Sequence, residues 1–106
     1  MKPFLGATLL MSFSFATLTH AATVPEIWKA KCKSCHGATG KADTTAGRKE
    51  KVDDMTTPDW KSHWTDEKMK TVILEGSKDN KKMKPFKDKL TAEEVDGLVA
   101  HIKGFK

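Results

Sequence analysis

The sequence predicts an all-α domain, and three observations lead there. Apolar residues recur at i, i+3, i+4 in segments near both ends of the chain. Threonine and proline stand where such segments begin. No segment alternates apolar with polar residues as a half-buried strand would. The 106 residues leave room for one small domain, with neither an internal repeat nor a dividing linker.

The start of the chain stands apart from that domain. Lys2 is the only charge before Glu26, and Phe4 to Leu18 is an apolar run softened by Thr and Ser. Thr19 and Ala21 occupy the −3 and −1 positions of a cut before Ala22, the layout of a secretory signal peptide. The run falls short of the ~20 apolar residues that a membrane-spanning helix needs. Residues 1–21 are therefore expected to be a cleaved export signal and 22–106 the mature domain, which then has no transmembrane segment.

The first helix is expected in "TVPEIWKAKCKSCH". Pro25 suits a first turn, and Val24, Ile27 and Trp28 share a face that Cys32 continues. Residues 37–57 carry three glycines and many charges without periodicity and read as a loop. "TPDWKSH" is a short helix capped by Thr57, with Pro58 in its first turn. In "TDEKMKTVILEG", Thr65 caps, Asp66 and Glu67 favour the positive end of the helix dipole, and Gly76 ends the helix. Met69, Val72 and Ile73 form its apolar stripe. Residues 77–90 are Lys-rich, aperiodic and interrupted by Pro85. The last helix opens on a Thr91–Glu94 capping box and presents Val95, Leu98, Val99 and Ile102 along one face.

A mature domain of about 85 residues buries a limited core and leans on a metal, disulfides or a cofactor. Its two cysteines cannot make a disulfide framework. Without Lys2, 18 of the 19 Lys and Arg face 14 Asp and Glu, a formal charge of +4. Arg48 is the only arginine, and no basic stretch is interleaved with aromatics, which excludes a nucleic-acid-binding surface.

The chemistry lies in "CKSCHG". A thiol–disulfide oxidoreductase sets C-x-x-C after a strand in a βαβ scaffold, and this chain has no strand to offer. Structural zinc needs four ligands, and the second half-site is missing; His63 and His101 are distant and unpaired at ligand spacing. Covalent haem remains, since C-x-x-C-H is its attachment signature. On a helical turn Cys32 and Cys35 each form a thioether with a haem vinyl group, and His36 points at the iron from the same side. Proximal His ligation leaves one iron position to fill.

Candidates for that position are Met55, Met69, Met83, His63 and His101. Met69 belongs to a helical stripe and reads as core. Met55 falls in a charged loop with nothing nearby to fix it. His63 stands between Trp60 and Trp64, and His101 lies beside the apolar face of the last helix. Met83 precedes Pro85, which holds itself and Lys84 in extended shapes, so a rigid non-helical segment presents the thioether. His/Met ligation raises the reduction potential and closes the iron to small substrates, which points to electron transfer. The rival is a haem enzyme or gas sensor in which Met83 is labile.

The chain resembles the small class I c-type cytochromes, soluble monohaem electron carriers of bacterial periplasms. "CKSCHG" and "MKPFKDKLTAEEVDGLVAHIK" carry the likeness, which extends over the mature sequence. The resemblance implies three main helices and a short one wrapped around one covalent haem c, held by Cys32, Cys35, His36 and Met83. It implies a monomeric periplasmic carrier rather than an enzyme, exchanging electrons with redox protein partners. It also makes Trp28 the aromatic of the first helix with Leu98 as partner, and brings Trp60, with Arg48 as a further candidate, to a haem propionate. Three features depart from the pattern. Val24 stands where a small Gly is common at the helix crossing, so Gly97 is expected to permit the close approach instead. His101 replaces a terminal-helix aromatic. No Pro between Pro25 and Pro58 supplies a carbonyl for His36 Nδ1–H, a bond expected of an iron-ligating His. Finally, Lys78, Lys81, Lys82, Lys84, Lys87 and Lys89 surround Met83, so an acidic docking partner is expected.

Overall fold

A computed structural model describes residues 3, 6, 8–12 and 22–106. The expected cleavage site, and all but those few residues of the expected leader, lie outside the described residues. Among the described residues the fold is all-α. The first helical stretch is α1 (Val24–Ile27), a π-helical turn (Trp28–Cys32) and α2 (Lys33–His36), joined without a break. Then follow α3 (Thr45–Lys49), α4 (Pro58–His63), α5 (Asp66–Glu75) and α6 (Ala92–Lys103).

Each helix that emerges from a loop starts at a threonine in extended backbone. Thr23, Thr44, Thr57, Thr65 and Thr91 each accept an N–H from the residue three positions on, which satisfies one of the free donors of a helix start. Thr91 and Glu94 complete their box, with Thr91 N–H donating to Glu94 Oε1 at 2.9 Å. α3 was not expected. It has no apolar stripe of its own, and its stability comes from the Thr44 cap and from packing on α2.

The core draws largely on the faces foreseen from spacing, although Val72 of the α5 stripe is only half-buried. Val95, Leu98, Val99 and Ile102 of α6 are buried against Ile27 and Trp28, with Met69 and Ile73 of α5 completing the cluster. Gly97 lies where α6 crosses the first helix: a Cβ there would stand 2.6 Å from Val24 Cγ2. The expected close approach from the α6 side is therefore present. Lys70–Asp96 at 3.0 Å and Lys103–Asp66 at 3.1 Å tie α5 to α6 with their numbering running in opposite directions, so the two helices are antiparallel. These solvent-screened pairs set register more than stability.

Candidate functional site

Cys32 and Cys35 lie one turn apart and form no disulfide. The helix changes pitch as it enters the motif. Lys33 N–H reaches back five residues to the Trp28 carbonyl, and Cys32 has φ −117° and ψ −35°. This π turn inserts an extra residue into the helical repeat, a feature often found at functional sites. It lets the core face of Ile27 and Trp28 and the direction of Cys35 and His36 be set separately.

Cys32 is half-buried against the core, and burial pushes its thiol up to about 11, opposed in part by the Lys31 charge. A thiol held protonated is a weak nucleophile, which argues against the oxidoreductase alternative. Burial also lowers the His36 pKa and favours neutral imidazole, the form that ligates metals. Its Nδ1 is buried without a hydrogen-bond partner, so among the described residues no protein acceptor takes the place of the missing proline carbonyl. The Trp28 ring lies over this region, 6.0 Å from the His36 ring and tilted by 42°.

The loop after α2 closes on the motif. Gly37 has φ 80° and ψ 164°, a region essentially restricted to glycine. Its carbonyl accepts the Trp28 Nε1–H at 2.9 Å, and the His36 carbonyl accepts Ala42 N–H at 2.9 Å. The Thr44 hydroxyl donates to the Ser34 carbonyl at 2.7 Å while accepting Gly47 N–H at 2.9 Å, so one oxygen joins α2 to α3. A Cβ on Gly47 would collide with the carbonyl oxygens of Cys35 and Ala42. The motif thus enters a preformed backbone cradle.

Met83 sits in a second fixed loop. Its N–H donates to the Asn80 carbonyl at 3.1 Å, and its carbonyl accepts Ser77 N–H at 3.0 Å. Downstream, Phe86 N–H and Lys87 N–H bond the Ile73 and Leu74 carbonyls at 2.9 and 3.2 Å, using free acceptors at the end of α5. The Met83 and Phe86 side chains are half-buried and pack on the core that Cys32 also touches.

Of the other candidates, Met55 departs from its sequence context. Met55 is buried in the core, and its N–H bonds the Gly40 carbonyl at 2.8 Å, so the expectation that nothing fixes it is corrected. Asp53 beside Met55 is exposed, and Asp54 accepts the Thr56 N–H and hydroxyl. Met69 is core, as its stripe predicts, and His63 is exposed beside Trp64. His101 packs on Trp28 and Phe105, with ring centroids 5.4 and 5.0 Å away. Trp60 stacks on Trp64 at 5.7 Å, and the pair walls two open clefts of about 360 and 300 Å³. Neither cleft is lined by Cys32, Cys35, His36 or Met83. Thr44, Gly47 and Phe105 were missed as supports of the motif; the Thr three residues before a Gly was their only sequence signal.

Two thiols and a neutral imidazole on one helical turn, with a thioether fixed on the same core, form a donor set that suits a covalent haem. Comparison with known proteins agrees: fold and motif define a c-type cytochrome, an electron-transfer haem protein carrying covalent haem c. The model of the family described as cytochrome c oxidase, cbb3-type, subunit III matches residues 19–102, and the chain belongs to that family. It is also similar to a solved structure, the KustC0563 c-type cytochrome, at 34% identity and a TM-score of 0.71, over 80% of this chain and 99% of that one. A single-substitution mutant of KustC0563 is similar at 33% identity and a TM-score of 0.68, over 80% of this chain and 100% of the mutant. No curated protein matches.

Proposed function

We propose that this chain is an exported monohaem electron carrier whose haem is bound through Cys32 and Cys35, with His36 and Met83 as axial ligands. The observation that carries the reading is the donor set itself: two unpaired thiols one turn apart, followed by a buried imidazole. When bound, the haem supplies a one-electron Fe(III)/Fe(II) couple. The chain's residues do the rest. Cys32 and Cys35 hold the group, His36 presents a neutral nitrogen, and the Met83 loop offers a soft sulfur that excludes small ligands and favours the reduced metal.

Residues 1–21 act as the cleaved signal in this reading, with the mature domain in the periplasm. Leu9, Leu10 and Met11 are apolar yet strongly exposed, which fits a segment that adds nothing to the core. Lys78, Lys81, Lys82, Lys84, Lys87 and Lys89 are all exposed around Met83 and favour an acidic partner docking there. The domain works as a monomer. The family's description is that of an oxidase subunit, so a membrane oxidase is the first acceptor to test.

The test is expression with a haem-maturation system. The expected product retains one haem through denaturation, gives a low-spin ferrous spectrum and ignores carbon monoxide. Met83→Ala should open the site to carbon monoxide and lower the potential; a spectrum unchanged by that substitution removes Met83. Rapid carbon monoxide binding by the unmutated protein favours the sensor or enzyme alternative.

A further inference from the structure

The loop that carries Met83 is shaped by a residue outside it. Gly76 follows α5 with φ 80° and ψ 171°, a combination essentially closed to residues with a side chain. It is crowded as well as twisted. A Cβ built there would stand 2.9 Å from the Met83 carbonyl oxygen, 3.1 Å from Pro85 N and 3.2 Å from Pro85 Cδ. All three atoms belong to backbone or to the proline ring, so no flexible side chain can yield, and the loop itself would have to move.

The surrounding hydrogen bonds make that movement matter. Ser77 N–H holds the Met83 carbonyl, and Phe86 and Lys87 fasten the far side of the loop to Ile73 and Leu74. Gly76 lies between these attachments. The loop is thus pinned at Met83 itself and just beyond it to the last turn of α5 and the residues that follow, and Gly76 is the point at which the two approach.

We propose that Gly76 is the positioning residue for the Met83 thioether, so that the backbone at the end of α5 sets how firmly the sixth site is closed. This rests on the reading of Met83 as the axial ligand. Gly76 touches no metal and acts only through the loop. Any side chain at 76 displaces the Met83 carbonyl and loosens the sulfur, while the attachment cysteines and the α1–α6 core remain as they are.

The experiment compares ferrous holoprotein carrying Gly76→Ala, Met83→Ala, Gly97→Ala or no substitution. Carbon monoxide affinity, reduction potential and far-UV circular dichroism are measured for each. Expected for Gly76→Ala is a carbon monoxide affinity raised about tenfold or more, within the range that strain of this kind spans. Its potential should fall toward that of Met83→Ala, with haem and helix content retained. Gly97→Ala, which crowds Val24 far along the chain from the loop, should lower the melting temperature without changing carbon monoxide affinity. Equal carbon monoxide gains from Gly76→Ala and Gly97→Ala would mean general loosening and overturn the assignment. A closed site in Gly76→Ala beside an open one in Met83→Ala overturns it too, but leaves Met83 as the ligand. Met83→Ala indistinguishable from the unmutated protein refutes the ligand reading and this inference with it. If Gly76→Ala yields no holoprotein, amide exchange in the unmutated protein decides. Displacing the thioether with imidazole should speed exchange at Ser77, Phe86 and Lys87 while leaving Val95 unchanged; unaltered exchange at those three overturns the proposal.

Discussion

Replacing Gly97 by Ala tests whether the crossing of α6 with the first helix is as tight as it looks. In an exposed helix interior this change stabilises by about 1 kcal/mol, because Ala loses less backbone entropy and shields the backbone. Here the new methyl would meet Val24 Cγ2 at 2.6 Å, closer than packed carbons allow. Overpacking of this kind costs about 1–3 kcal/mol. The net expectation is a loss of about 0–2 kcal/mol. Val24→Ala removes the offending carbon, since Val24 Cβ itself is 3.9 Å away, and alone costs about 1 kcal/mol of burial. The double variant should return close to the original stability, with a coupling energy of about 1–3 kcal/mol. Urea unfolding of the holoproteins, followed by circular dichroism, measures all four corners at comparable slopes. If Gly97→Ala alone stabilises by the full propensity gain, or the two changes add without coupling, the helices are not in contact there and the reasoning fails.

Other consequences can be checked as directly. Trp28→Phe keeps a ring in the core but leaves the Gly37 carbonyl unpaired, and should cost about 1–3 kcal/mol in the same assay. Thr44→Val preserves the side chain's shape while removing both the α3 cap and the bond to Ser34; a loss of about 1–2 kcal/mol and faster amide exchange at Gly47 are expected. In haem-free chain that circular dichroism shows to be folded, alkylation of Cys32 should reach half its limiting rate only near pH 11, because burial pushes the thiol up to about 11. A half-limiting rate already at pH 9.0 would show the thiol to be in ordinary surroundings.

How much of this could be read beforehand depends on how local each signal is. Thr57, Thr65 and Thr91 cap through bonds three residues long, and the α6 stripe needs only a period, so these features were legible. The Val24–Gly97 approach was also expected, from the resemblance, which puts a small residue at that helix crossing. The proposal that Cys32 and Cys35 attach a haem and that His36 ligates its iron followed from the motif. The parts that escaped notice depend on distant partners. Met55 is buried through a bond to Gly40, α3 stands on α2 rather than on its own periodicity, and the Trp28 indole reaches Gly37 only after the chain turns. The π turn leaves no trace in residue spacing, since the same letters serve an even helix.

Phe105 packs edge-on against Trp28, with ring centroids 5.0 Å apart, and fills the space that Gly40 leaves open. Its carbonyl also receives the Lys61 ammonium. The aromatic cover of the attachment motif therefore comes from the opposite end of the described chain, and contacts so distant in sequence form late. During synthesis the two thiols come out long before the residue that closes over their helix. That interval is when they can be reached, so a crowded native site and an enzyme-accessible attachment site belong to successive stages of one chain. A Phe105→Ala chain should stay open longer and accept haem at least as readily, yet unfold more easily once loaded; haem incorporation that fails in step with stability would contradict this order.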